Sequence, residues 1–154
     1  MRKLKICLTF AIGIFLLTQP CVIHVFAQTG EITRQETLRG SITPERAWWD
    51  VLHYHLAIEF FPDKRTIRGS NTITFKTLKA GNKMQIDLQP PLAITKVTHG
   101  DSQLKFERDG NVNWVMFEKE LPKGVEGKIE VFYEGIPVEA RRPPWEGGIT
   151  WGRD

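Results

Sequence analysis

Apolar and polar residues alternate with period two over most of this chain. Leu52, Tyr54, Leu56, Ile58 and Phe60 alternate with Val51, His53, His55, Ala57 and Glu59, the pattern of a half-buried strand. Pro62-Asp63-Lys64-Arg65 turns the chain. Ile67, Asn71, Ile73 and Phe75 then alternate with Arg68, Ser70, Thr72, Thr74 and Lys76, and Gly69 marks a bulge or a close backbone approach. After Ala80-Gly81-Asn82, Met84, Ile86 and Leu88 alternate with Gln85, Asp87 and Gln89. Pro90-Pro91 ends that strand, because proline cannot donate to a ladder.

The same rhythm continues towards the C-terminus. Ala93 to Thr98 is β-rich. Leu104 and Phe106 follow, with Gln103, Lys105 and Glu107 opposite, and Asp109-Gly110 is a two-residue hairpin signal leading into a strand from Val112 to Phe117. Pro122-Lys123-Gly124 turns again, and Ile129, Val131 and Tyr133 oppose Lys128, Glu130, Phe132 and Glu134. No long stretch has a helical period. The expectation is an all-β fold, an antiparallel β-sandwich over residues 47–154. Beyond Gly135-Ile136-Pro137 the chain carries Trp145, Gly147, Gly148 and Trp151, and it ends within what reads as the start of another strand. That ending is read as truncation, with the aromatics meant to pack on something further along.

The beginning has a different pattern. Arg2, Lys3 and Lys5 precede an apolar run from Ile6 to Leu17, and Val25-Phe26-Ala27 places small residues suited to signal peptidase before Gln28. Residues 1–27 therefore read as a cleavable signal peptide, the alternative being an uncleaved anchor, and the expected destination is export. Residues 28–46 read as a polar leader. Its first part, 28–43, looks flexible, and Thr43-Pro44-Glu45 looks like a short helical start. Trp48-Trp49 follows.

Charge changes meaning once the signal is set aside. The whole chain has 21 Lys and Arg against 18 Asp and Glu, a net charge of +3. That excess equals the three basic residues of the signal, so the remainder is balanced. Nucleic-acid binding is not expected from dispersed Lys and Arg among equal acids. Both cysteines, Cys7 and Cys21, also leave with the signal. A thiol nucleophile or a disulfide framework is then excluded from the mature part.

Candidate chemistry is sparse. His53-x-His55 places two rings on one strand face, a spacing able to chelate a metal, but third and fourth ligands are not evident. A solvent-facing polar face is the plainer reading. His99 reads as a loop residue. Asp87, Glu107, Glu118 and Glu130 invite a carboxylate dyad, yet each lies on an alternating strand face where charge meets water. No serine elbow, phosphate loop or His-Glu-x-x-His is present. Neither catalytic nor metal residues are assigned. The tryptophans leave two readings. They form a ligand platform, or Trp48 and Trp49 plug the sandwich while Trp145 and Trp151 face a neighbouring domain.

One ordered set of segments resembles a known family. Tyr54-x-Leu56-x-Ile58, Ile67-Arg68-Gly69-x-x-x-Ile73-x-Phe75, Ile86-Asp87-Leu88, Val131-x-Tyr133-x-Gly135-x-Pro137 and Pro143-Pro144-Trp145-Glu146-Gly147-Gly148 occur in this order. Together they look like the N-terminal domain of M1-family zinc aminopeptidases, the aminopeptidase N and leukotriene A4 hydrolase group. The resemblance implies a saddle-like β-sandwich that precedes a thermolysin-like catalytic domain. It implies zinc only in that later domain, whose motifs are missing from this chain. It also implies a catalytic metallopeptidase domain as partner in cis, and a peptide substrate for the parent enzyme. Trp145, Gly147, Gly148 and Trp151 become candidate interdomain contacts. The alternative reading is a free-standing secreted module that binds sugar or peptide through exposed tryptophans.

Overall fold

The computed structural model describes residues 31–152. The expected signal peptide, with Cys7 and Cys21, lies outside the described residues. The elements run α1 (Arg34–Gly40), α2 (Pro44–Ala47), β1 (Trp49–Phe61), a 3₁₀ turn (Pro62–Lys64), β2 (Thr66–Thr77), β3 (Gly81–Asp87), β4 (Ala93–His99), β5 (Ser102–Gln103), β6 (Lys105–Asp109), β7 (Val112–Leu121) and β8 (Glu126–Gly135). One sheet has the order β1-β2-β8-β4-β5 and the other β3-β7-β6. All strand pairs are antiparallel. The β-rich reading of the sequence is thus the observed architecture.

Both sheets contribute to one core. Ile73, Phe75, Val97, Ile129 and Val131 from the five-stranded sheet meet Met84, Ile86, Val115 and Phe117 from the three-stranded one. Phe75, Met84, Val97, Val115 and Ile129 are fully buried. Each contributes on the order of 1.5–3 kcal/mol through removal of its side chain from water. Trp48 closes one end, edge-on to Phe117 at 6.0 Å, with its indole N–H donating to the Lys83 carbonyl at 2.7 Å. Trp49 stands edge-on to Phe75 at 6.1 Å. These two tryptophans are plugs, as their place at the head of the first strand suggests.

The turns follow the local chemistry. Arg65 closes the turn after Pro62 in the left-handed region, at φ 51°. Gly110 does the same at φ 61° between β6 and β7, where Asp109 pairs with Val112. The Asp-Gly hairpin read from the sequence is therefore formed. Gly69 does not bulge. It pairs in register with Ile58, and a Cβ there would collide with the Ala57 carbonyl and crowd the Tyr133 ring, so close approach is its reason. The irregularity in this ladder lies at Val51/His53 instead.

Four expectations are corrected. The segment read as flexible contains α1. Thr33 caps it, its hydroxyl accepting from the Glu36 N–H at 3.2 Å while the Glu36 carboxylate accepts from the Thr33 N–H at 2.7 Å. This is a capping box, and it forms because the first helical donors need acceptors. Gln85 does not face water. It is 2% exposed, accepts from the Thr43 hydroxyl at 2.6 Å, and donates to the Leu38 carbonyl at 3.1 Å. His99 ends β4 rather than lying in a loop, and stands edge-on to Phe117 at 5.3 Å. The stretch around Ile149 does not form a further strand. It makes an isolated parallel bridge with Glu139.

Candidate docking surface

The first strand carries the largest departure from the sequence pattern. In its register with β2, Tyr54 faces Ile73, Leu56 faces Asn71, Ile58 faces Gly69 and Phe60 faces Ile67. These side chains therefore share the inner face of the five-stranded sheet with the buried Ile73 and Ile67. Yet Tyr54, Leu56, Ile58 and Phe60 are 53%, 59%, 44% and 52% exposed. The expectation of a half-buried strand fails here. β1 is an edge strand, and of its apolar residues only Trp49 and Val51, at its start, pack against the shared core. Alternation reports which residues share a face, not whether a second layer covers it.

What lies beside the stripe is partly built by α1 and α2. A cleft of about 640 Å³ has Val51, Tyr54, Leu56, Ile73 and Ile86 on its apolar side and Arg39, Asp50 and Asp87 at its polar side. Arg46 also lines it, but its guanidinium is committed to Asp87 and to the Ser41 carbonyl. Asn71 also lines the cleft, and its Oδ1 is buried without a hydrogen-bond partner among the described residues.

The far end of the stripe meets the C-terminal segment. Trp151 stands edge-on to Phe60 at 6.4 Å. Its indole N–H is buried and has no partner among the described residues. The segment that carries it folds back on itself, with the Ile149 N–H donating to the Val138 carbonyl at 2.9 Å. Arg65 pins it by an ion pair to Glu139 at 3.1 Å. Gly148, at φ 143°, sits where a Cβ would strike the backbone of Val138 and Ala140, so only glycine closes this loop.

The four residues singled out in the sequence therefore divide. Trp145 is 87% exposed, and Gly147 has open space around it. Gly148 and Trp151 are turned inward and hold the segment closed. The stripe on β1 was not recognised as a surface from the sequence. Its signal was present in an unusually long apolar alternation at the start of the domain, but only topology says that no strand follows on its outer side.

The candidate chemical groups are dispersed. His53 and His55 are both exposed on the outer face of β1, opposite Thr74 and Thr72. Asp87 is on β3, Glu107 on β6, Glu118 on β7 and Glu130 on β8. Among the described residues no three His, Cys, Asp or Glu side chains gather to hold a metal. The residues present do not fit a zinc site. Charged side chains instead pair locally. Glu59 binds Arg68 across β1 and β2 at 2.7 Å and favours its charged form. Arg34 grips Asp109 with two guanidinium nitrogens at 2.7 and 2.6 Å, and this hydrogen bonding holds the Asp109 carboxyl below its ordinary value.

Fold and surface together define a two-sheet antiparallel β domain in which, among the described residues, one edge strand carries an exposed apolar stripe. No protein-family model and no curated protein matches the chain. Solved structures do share its fold. A point variant of the M1 zinc metallopeptidase from Deinococcus radiodurans superposes with a TM-score of 0.55 at 19% identity, over 64% of this chain and 23% of that one. The same variant bound to a Tyr-Ser-Ala substrate gives 0.54 at 20% identity, with the same coverage. The M1 zinc metallopeptidase from that organism gives 0.52 at 20% identity, over 58% of this chain and 21% of that one. The likeness to M1 metallopeptidases read from the sequence is thus present in the fold, and this chain spans less than a quarter of those proteins.

Proposed function

We propose that this chain is the non-catalytic N-terminal domain of an exported M1-type zinc metallopeptidase. The observation that carries the reading is the shared fold with part of M1 zinc metallopeptidases, of which it matches less than a quarter. Its role is to pack against the catalytic domain and form one wall of the substrate cleft. Zinc, the hydrolytic groups and the contacts to a peptide substrate belong to that domain, which acts in cis. Trp145, standing 87% exposed on a loop held shut by Gly148 and Trp151, is the contact proposed for it. Export is supported by the basic start and apolar run of residues 1–27.

The test is hydrolysis of aminoacyl amides with added zinc. The chain alone is expected to be inactive, and activity is expected when an M1-type catalytic domain is joined to it. In the joined protein, Trp145→Ala is expected to lower the unfolding temperature while leaving that of the chain alone unchanged. Metal-dependent turnover by the chain alone would overturn the proposal. The exposure of Trp145 also supports a second reading, a secreted sugar- or peptide-binding module. Saturable quenching of tryptophan fluorescence, lost in Trp145→Ala, would favour it.

A further inference from the structure

β1 ends the five-stranded sheet, and among the described residues no strand pairs with its outer side. Its backbone donors and acceptors on that side form a ladder template. Natural edges are usually blunted by brevity, proline or inward-pointing charge. From Tyr54 to Phe60 this one has none of these. The inner-facing residues are apolar or aromatic, and the one carboxylate, Glu59, points outward.

The strand is also complementary to itself. An antiparallel copy placed with a two-fold axis at Ala57 sets Tyr54 opposite Phe60 and Leu56 opposite Ile58, each pair occurring twice. The inner-facing apolar residues are then all used, with none left facing a polar one. On the outer face the same register sets His55 opposite Glu59, again twice, with the small Ala57 at the axis. Glu59 meets Arg68 from β2 through one carboxylate oxygen, which leaves the other for this contact. His55 has Thr72 as its β2 neighbour, and no cation competes there. Directly opposed aromatic and aliphatic pairs stabilise antiparallel pairing, and the His55 imidazole offers an N–H donor to the Glu59 carboxylate.

We infer that β1 is a homodimerisation edge: two copies of this chain pair β1 with β1 antiparallel about Ala57, joining their five-stranded sheets into one. The contact is isologous and closes on itself, so it gives dimers and not fibres. It does not depend on the metallopeptidase reading and would hold equally for a free-standing module.

Sedimentation equilibrium of the full chain tests this, with circular dichroism confirming the β fold of each variant. The wild type is expected to dimerise at up to about 100 µM, and Leu56→Lys, which sets a charge within the stripe, to weaken association at least about tenfold. Leu56 is 59% exposed, so the monomer should tolerate the change. The register is tested by charge exchange. His55→Glu opposes two acids in its homodimer, and Glu59→Lys opposes lysine to histidine. An equimolar mixture of the two is expected to form the heterodimer in preference to either homodimer. A wild type that stays monomeric, a Leu56→Lys variant that still dimerises, or a mixture without heterodimer preference would each overturn the inference. A monomer result would leave the metallopeptidase proposal untouched, because that stands on turnover.

Discussion

Gly69 shows how much a single position can be asked to do. It lies mid-strand, where glycine is unfavourable through lost conformational entropy and absent packing. It is there because a Cβ would collide with the Ala57 carbonyl on one side and crowd the Tyr133 ring on the other. Gly69→Ala is expected to destabilise the fold by about 1–3 kcal/mol, since the space is bounded by backbone that cannot yield. The midpoint of denaturant unfolding measures this. From the sequence, Gly69 left two readings open. A bulge and a close approach make the same demand for glycine, and only the register of β1 on β2 distinguishes them.

Among the elements, α1 is the one that sequence pattern concealed. It buries a single apolar side chain, Leu38, against Val112 and Trp114, so no hydrophobic period could announce it. Its start was nonetheless encoded in Thr33-x-x-Glu36. Tertiary ion pairing fastens it. Arg34 and Gln35 reach Asp109, which also accepts from the Trp114 indole at 3.3 Å. The hydrogen bond from Arg34 is the main reason that the Asp109 carboxyl is held below its usual range. Hydrogen bonding from Thr33 lowers Glu36 in the same sense. A depressed carboxylate contributes stability that is fully present above its unfolded-state value, about 4, and is lost as pH falls through the lowered folded value. Acid is therefore expected to loosen α1 from β7, and the Trp114 indole N–H resonance should shift as Asp109 protonates. Asp109→Asn should abolish that acid-dependent shift.

For the whole molecule, stability is expected to be graded. The centre of the shared core is fully buried, while α1 is held by one apolar side chain and polar contacts to Asp109, and the C-terminal segment by a few backbone hydrogen bonds and the Arg65–Glu139 pair. Segments with few buried contacts open at lower cost than the core. Hydrogen exchange should show residues 34–40 and 136–151 exchanging well before β2, β7 and β8. Uniform protection across these regions would contradict the grading. The uncovered stripe on β1 belongs to the same scale. Edge position and incomplete coverage arise from how the sheets are ordered, and they leave the apolar side of this amphipathic strand exposed.

The sequence by itself determined the strands, their turns and the absence of local chemical motifs, because side-chain alternation, proline, glycine and Asp-Gly act over a few residues. It also carried enough ordered segments to point to the M1 likeness. It could not determine which apolar face would be covered, because that depends on strand order and on the reach of the second sheet. Tertiary structure alone decided that Gln85 is buried, that Trp151 turns inward while Trp145 stands out, and that Tyr54, Leu56, Ile58 and Phe60 face open space. Burial is a property of what stands opposite a residue, and for Gln85 and Trp151 those neighbours lie far away in sequence.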